Sequence, residues 1–150
     1  MTRWLLVLSI CAASALAQPS LTEQEKKERA ERLEFIKANY TKSEHLIPMR
    51  DGGRLFTAGD TPKDASKTYP ILLTRTPYSV RPYGSDNYRD RLGQSDLYMR
   101  EGFIFVYQDV RGRNKSEGVY VHVRPVNTSK RGQKDIDEST DTYDTIDWLV

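Results

Sequence analysis

The sequence is poor in the residues that build disulfide frameworks and metal centres. Its 150 residues include one cysteine, Cys11, and two histidines, His45 and His122. One thiol cannot form an intramolecular disulfide, and the histidines lack both a His-x-x-x-His pairing and neighbouring cysteines, the groupings typical of zinc sites. We therefore predict neither a bound metal nor a cofactor.

Neither sign of charge is in excess. The chain has 23 basic and 21 acidic residues, a formal net charge of +2. This near balance predicts no nucleic-acid partner and no attraction to an anionic membrane. An acidic run near the end of the chain lacks the central glycine of an EF-hand loop, so we interpret it as the solvated face of a helix. The run comprises Asp135, Asp137, Glu138, Asp141, Asp144 and Asp147.

Long apolar runs are absent except at the N-terminus. After the basic Arg3, residues 4–16 are almost all apolar or small, and Ala15-Leu-Ala17 is a small-x-small cleavage signal. The run is shorter than the roughly 20 residues of a spanning helix, and the arrangement is typical of a secretory signal peptide over residues 1–17. We expect an exported protein, periplasmic or secreted, with no membrane attachment after cleavage. An uncleaved membrane anchor is the alternative.

Residues 18–42 are rich in Glu, Lys and Ala and predict an N-terminal helical arm. Thr22 followed by Glu25 fits a capping box. A narrow apolar stripe near the end of the arm contains Leu33, Phe35, Ile36 and Tyr40. The arm either packs on another subunit, in a homo-oligomer, or is a solvated helix leading into the domain, and its charged composition favours the second.

The rest of the chain, residues 43–150, carries short apolar runs that predict strands. The predicted strands cover 43–48, 54–58, 69–76 and 103–108. The turn signal at Asp51-Gly52 makes a hairpin of the first two, while the last two are continuously apolar, as in strands buried on both faces. Valines alternate with polar residues over 118–125, which predicts a half-exposed strand or an extended loop.

Two amphipathic segments predict helices over residues 92–101 and 135–150. In the first, Leu92, Leu97 and Tyr98 are the apolar positions, and Gly102 ends the helix. The apolar stripe of the second contains Tyr143, Ile146, Leu149 and Val150. The order hairpin, strand, helix, strand, helix is that of the opening of a doubly wound α/β sheet. Since the second helix carries no stop signal, we expect the chain to be the N-terminal part of a longer protein.

Four ordered motifs resemble those of one enzyme family. They are Ile47-Pro-Met-Arg-Asp-Gly52, Leu73-Thr-Arg-Thr-Pro-Tyr78, Gln108-Asp-Val-Arg-Gly-Arg113 followed by Ser116-Glu-Gly118, and Asp141-Thr-Tyr-Asp-Thr-Ile-Asp-Trp148. In this order and spacing the chain resembles, over about residues 40–150, the N-terminal part of the CocE/NonD serine hydrolases. These include α-amino-acid ester hydrolases, bacterial cocaine esterase and Xaa-Pro dipeptidyl-peptidases.

The resemblance implies that residues 43–150 are the N-terminal part of an α/β-hydrolase sheet. Family members use a Ser-Asp-His triad in that chain order, with the serine on a G-x-S-Y-x-G turn. No G-x-S-x-G occurs in this sequence. We therefore assign no residue of this chain as the nucleophile, the acid or the base. Because the triad histidine comes last, His45 and His122 are expected to be structural or exposed.

The implied function is hydrolysis of ester or amide bonds through an acyl-serine intermediate. The implied substrates are small-molecule or peptide-like, with α-amino-acid or similar acyl groups. Xaa-Pro dipeptidyl-peptidase activity is one alternative. The other is a catalytically inactive fragment or binding module, because the triad is not in this chain.

Tyr78 is the one functional residue that carries over from the family. It follows a predicted buried strand, and ligands of parallel sheets bind beyond the carboxyl ends of the strands. The matching family tyrosine donates its hydroxyl to the oxyanion hole, and a neutral phenol suits that role. The alternative is an aromatic that caps the loop by packing.

Asp109, Arg111 and Arg113 follow the next buried strand and allow two interpretations. At the rim of a pocket they can bind a substrate carboxylate. Alternatively they form a charge-assisted network that holds the turn, and we favour this interpretation. The tyrosines at 78, 83, 88 and 98 can line an aromatic pocket, although only Tyr78 has a positional argument.

Overall fold

A computed structural model describes residues 21–132 and 134–150. The elements are α1 (Glu23–Asn39), β1 (Tyr40–Pro48), β2 (Arg54–Pro62), β3 (Ile71–Thr76), α2 (Asp96–Glu101), β4 (Ile104–Asp109) and α3 (Glu138–Leu149). No helix in these ranges has the length and apolar character to cross a membrane. The predicted signal peptide, residues 1–17, lies outside the described residues.

The strands form one mixed sheet in the order β1-β2-β4-β3. The predicted hairpin is present, with β1 and β2 antiparallel, and β2 continues antiparallel onto β4. The two predicted buried strands, β3 and β4, run parallel, with Leu72 opposite Phe105 and Thr76 opposite Asp109. The crossover between them contains α2, as a parallel connection requires. The predicted order of elements is therefore confirmed.

One face of the sheet carries the main apolar core, beneath α1 and α2. Its buried residues are Ile36, Tyr40, Leu92, Met99 and Phe105. α1 begins at Glu23, after the predicted capping box with Thr22 as its N-cap. It ends at Asn39, and β1 follows directly. The buried Tyr40 hydroxyl donates to the Met99 carbonyl at 2.8 Å, which joins the start of the sheet to α2.

The helix predicted over 92–101 is shorter in the structure. It begins at Asp96, capped by the Ser95 side chain, because Gly93, with a φ of 65°, interrupts helical geometry between Leu92 and this cap. Gly102 ends it as predicted, at φ 89°. A Cβ at Gly102 would lie 2.6 Å from the Tyr69 ring. Glycine is therefore required both by the positive φ and by this contact.

The apolar stripe predicted for the last helix is wrong. Tyr143, Ile146 and Val150 are exposed, and the buried side chains of α3 are Thr140, Asp141 and Thr145. The face of the sheet beneath α3 is itself polar, and the buried Gln108 amide donates to the Thr145 hydroxyl at 2.9 Å. Burial of polar groups is tolerated here because each finds a partner, and periodicity of apolar residues cannot reveal such a face.

Residues 118–125 form no strand, so the loop is the correct alternative of the two predicted for this segment. The chain turns at 122–123, and Val123 has a φ of 50°, outside the range of a strand. Val119 and Val123 are largely exposed. The alternation of valines in the sequence therefore does not correspond to a buried face.

A buried carboxylate, Asp60, lies in the sheet without a direct hydrogen-bond partner among the described residues. Its neighbour across the strand pair is Lys42, whose buried ammonium instead donates to the carbonyls of Pro82, Gly84 and Asn87. Burial raises the pKa of Asp60 to about 6, against a smaller opposing effect of Lys42 and Arg89. The folded protein therefore carries the cost of an imperfectly paired charge at neutral pH.

Asp60→Asn is expected to stabilise the protein at pH 8 by about 3 kcal/mol, the energy that corresponds to this rise in pKa. Since the folded pKa exceeds the unfolded value of about 3.9, the folded state holds the proton more tightly between pH 6 and pH 4. The parent protein's free energy of unfolding should thus rise as the pH falls through that window, and the advantage of the variant should vanish near pH 4.

Thermal unfolding of both proteins at pH 8 and pH 4 measures this difference. Asp86→Asn, which removes an exposed carboxylate, is the control, and it should change the free energy of unfolding by no more than about 0.5 kcal/mol. An Asp60→Asn protein less stable than its parent at pH 8 would show that the Asp60 charge is adequately paired.

Candidate active site

The parallel pairing of β3 and β4 brings the loops that follow them to the same edge of the sheet. The strands end side by side at Thr76 and Asp109, and the Val110 amide donates to the Thr76 carbonyl at 3.1 Å. One turn later the Arg113 guanidinium donates to the Pro77 carbonyl at 3.1 Å. The sequence motifs that end at Tyr78 and Arg113 therefore share one site, where parallel sheets bind ligands.

Tyr78 projects from this edge into solvent. Tyr78 is 84% exposed, and its hydroxyl makes no hydrogen bond to the described residues. Its backbone amide donates to the Thr76 hydroxyl at 3.1 Å. The exposed ring does not act as a packing cap within this part of the chain, so the hydroxyl is available to an incoming group.

Asp109 binds donors from both loops. Its carboxylate is fully buried and accepts from the amide of Val80 at 3.0 Å and the hydroxyl of Tyr83 at 2.9 Å. From its own loop it accepts from the Asn114 side chain at 3.2 Å and the Lys115 amide at 3.3 Å. Four donors saturate both oxygens, so Asp109 is a structural tie and not a free group at a pocket rim.

Tyr83 is held as a donor in this arrangement. Burial, together with the hydrogen bond to Asp109, raises the pKa of the Tyr83 hydroxyl above its ordinary value. Its oxygen also lies 3.1 Å from the Ser79 hydroxyl. The remaining tyrosines lie apart from it: Tyr98 packs on the Phe103 ring, and Tyr88 reaches β1 at Lys42. The tyrosines therefore do not line one pocket.

Arg111 forms a buried ion-pair cluster with Asp51 and Asp141. Its guanidinium, 3% exposed, donates to Asp141 at 2.7 and 2.9 Å and to Asp51 at 2.9 and 3.1 Å. Hydrogen bonds to Asp141 first, and to Asp51 second, raise the pKa of Arg111 further above its ordinary value. The favoured interpretation as a network holds, but the partners come from the hairpin turn and α3, not from Asp109.

The acidic run is not a solvated face, contrary to the sequence-based interpretation. Asp141 and Asp137 are buried. Asp137 caps α3 and accepts from Lys130, and this bond leads the contacts that hold its pKa well below the ordinary range. Asp144 pairs with Arg50 at 2.6 Å. In the described part of the chain no group of three metal-ligating side chains is found.

The loop after β4 depends on a glycine. Gly112 has a φ of 69°, and a Cβ on it would lie 2.1 Å from the Tyr120 amide nitrogen. Beside it, the Arg113 guanidinium stacks over the Tyr120 ring at 4.9 Å. This close approach of two backbone segments sets the direction in which Arg113 reaches back to the Tyr78 loop.

Both histidines are exposed, as predicted. The His45 ring contacts the Trp148 ring at a centroid distance of 5.1 Å. The His122 ring lies 3.0 Å from the Tyr120 hydroxyl.

The contacts of Asp109 and Arg111 were missed by sequence reasoning. Arg111 binds Asp51 and Asp141, which lie 60 and 30 residues away in the chain. No local spacing in the sequence therefore predicts these contacts. The available signal was that Asp51, Arg111 and Asp141 each lie inside one of the four motifs.

Comparison with known proteins identifies the family. A family model described as X-Pro dipeptidyl-peptidase (S15 family) matches residues 51–150. The chain belongs to this family. It is 30% identical over 122 residues to cocaine esterase of Rhodococcus sp. (strain MB1 Bresler), a match that covers 77% of the chain.

Two solved structures resemble this S15-family chain. An aminopeptidase from a marine sediment archaeon, Thaumarchaeota archaeon, shares 43% identity over 74% of the chain with a TM-score of 0.60. An α-amino acid ester hydrolase shares 35% identity over 95% of the chain with a TM-score of 0.58. The predicted fold class and the predicted CocE/NonD resemblance are thereby confirmed, and the family is one of hydrolases.

The chain spans about a fifth of the length of these relatives. It covers 18% of the cocaine esterase, 19% of the aminopeptidase and 22% of the ester hydrolase.

Proposed function

We propose that this chain forms one wall of the active site of an exported serine hydrolase. The substrates would be esters or amides of α-amino acids or similar acids, and Xaa-Pro peptides are the alternative. The observation that carries the proposal is the exposed Tyr78 hydroxyl at the carboxyl edge of a parallel strand pair. Relatives named as an esterase, an aminopeptidase and an ester hydrolase support the bond class.

In the proposed reaction a serine hydroxyl attacks the substrate carbonyl and forms a tetrahedral intermediate. The serine, its base and its acid would lie in the longer polypeptide. They would occupy the region that corresponds to the part of the relatives that this chain does not span. The base takes the serine proton and passes it to the leaving group as the acyl-enzyme forms, and water then hydrolyses that ester. Tyr78 would donate its O–H to the carbonyl oxygen as negative charge develops there.

The second candidate is a binding module or inactive fragment, since no described residue joins a nucleophile to a base. A polar end to a parallel sheet can bind a ligand without chemistry. The two candidates differ in whether this chain needs downstream sequence for activity.

Hydrolysis of a p-nitrophenyl ester tests the proposal. The full-length protein, meaning the longer polypeptide whose N-terminal part we propose this chain to be, should hydrolyse the ester, and a serine-directed inhibitor should abolish the reaction. The 150-residue chain alone should be inactive. Activity should be found in the exported fraction, on a protein that begins at Gln18. Inhibitor-insensitive activity, or none in any form, would favour the second candidate.

A further inference from the structure

The Tyr78 hydroxyl is placed by its backbone, because the side chain makes no hydrogen bond to the described residues. Three contacts hold that backbone: the Thr76 hydroxyl accepts from the Tyr78 amide, Arg113 donates to the Pro77 carbonyl, and Asp109 accepts from the Val80 amide. Arg113 is itself exposed to solvent, whereas Asp109 is fully buried. The most rigid of these anchors is therefore Asp109.

Ser79, the residue after Tyr78, adopts a backbone that needs support. Its φ of 85° is in the left-handed region, which a residue with a Cβ adopts only where the surroundings impose it. Asp109 acts on both sides of this point. It binds the amide of Val80 directly, and it binds the Tyr83 hydroxyl that lies against the Ser79 side chain.

Asp109 also accepts hydrogen bonds from the loop after β4, from the Asn114 side chain and the Lys115 amide. One carboxylate thus ties the loop of Tyr78 to the end of β4 and prevents the two from moving apart. We infer that Asp109 is the positioning residue for Tyr78. Asp109 holds the loop so that the Tyr78 hydroxyl can donate to the oxygen of the substrate carbonyl. This inference rests on the proposed function.

Asp109→Asn in the full-length protein tests the inference. Each oxygen of Asp109 accepts from one donor of each loop. The NH2 group of the asparagine therefore faces two donors, one from each loop, and the Tyr78 loop must shift away from the end of β4. A displacement of this kind costs about a hundredfold in rate. We expect kcat to fall by about that factor with little change in KM, because Tyr78 acts on the transition state and not on bound substrate.

The deciding measurement is a double-mutant cycle with Tyr78→Phe. If Asp109 acts through the Tyr78 hydroxyl, Asp109→Asn should cost little further once that hydroxyl is gone. Asp141→Asn is the control: this aspartate is equally buried, but it belongs to α3 and binds Arg111 and not the Tyr78 loop. Its effect on kcat should be small and independent of Tyr78→Phe.

Tyr83→Phe keeps the test decisive if Asp109→Asn does not fold. It removes one donor to Asp109 and should lower kcat in the same direction by a smaller factor, again only when Tyr78 is present. Equal losses in the two backgrounds, for either variant, would overturn the inference while Tyr78 remains the donor. A Tyr78→Phe protein with full activity would instead overturn the proposed role of Tyr78 itself.

Discussion

Tyr78→Phe in the full-length protein is expected to lower kcat about 100- to 1000-fold, the usual effect of removing one oxyanion donor. The hydroxyl would be worth this much because it stabilises charge that exists only in the transition state and its intermediate. KM should change little, since a ground-state carbonyl carries less charge. Stability should be unaffected, because the ring is exposed and its hydroxyl is unbonded in the described part of the chain.

Steady-state hydrolysis of a p-nitrophenyl ester gives both constants. Tyr143→Phe removes the hydroxyl of another exposed tyrosine, on α3, and should leave kcat unchanged. An unaltered kcat for Tyr78→Phe would contradict the assignment, and the oxyanion would then have to be held by other donors.

Arg111→Met is expected to destabilise the protein by about 3–5 kcal/mol, the effect of removing one partner from a buried ion pair. The loss is large because Asp141, which is 1% exposed, loses both of its hydrogen bonds to a guanidinium and retains only the longer contact with Arg75, at 4.0 Å. The same change releases Asp51 and with it the hairpin turn between β1 and β2. One side chain therefore joins the turn, the end of β4 and α3.

Urea unfolding of the parent and variants measures this loss. Arg54→Met is the matched control: Arg54 also pairs with a carboxylate, Glu117, but both side chains are about half exposed, so the cost should stay below about 1 kcal/mol. Adding Asp141→Asn to Arg111→Met should recover part of the stability, because it removes a buried carboxylate that has lost its hydrogen-bonded cation. Equal losses for Arg111→Met and Arg54→Met would show that the cluster contributes no more than a surface pair.

The elements of the sheet could be predicted from sequence because each depends on its own residues. The apolar runs at 69–76 and 103–108 became β3 and β4, the turn signal at Asp51-Gly52 became the hairpin, and Thr22 with Glu25 became the cap of α1. These signals are local, so the chain displays them before any tertiary contact forms. The four motifs are local sequence signals too, and they indicated the family.

The buried face of α3 could not be predicted, because it is defined by what lies beneath it. Sequence periodicity places apolar residues inward, yet Thr145 is buried and Ile146 is exposed. Gln108 and Arg111 supply partners that make a polar face the favourable one, and both are distant in the chain. Whether a polar residue can be buried depends on its partners, which only the folded structure assembles.

The sequence by itself determined the family, the order of the elements and the position of Tyr78 at the end of a buried strand. Tertiary structure decided how that tyrosine is held. Asp109 lies 31 positions after Tyr78, and only the parallel register of β3 and β4 brings their following loops to one edge, where a single carboxylate can bind both. Strand identity is a property of neighbouring residues, whereas the register of two strands and the pairing of buried charges arise from contacts between distant ones.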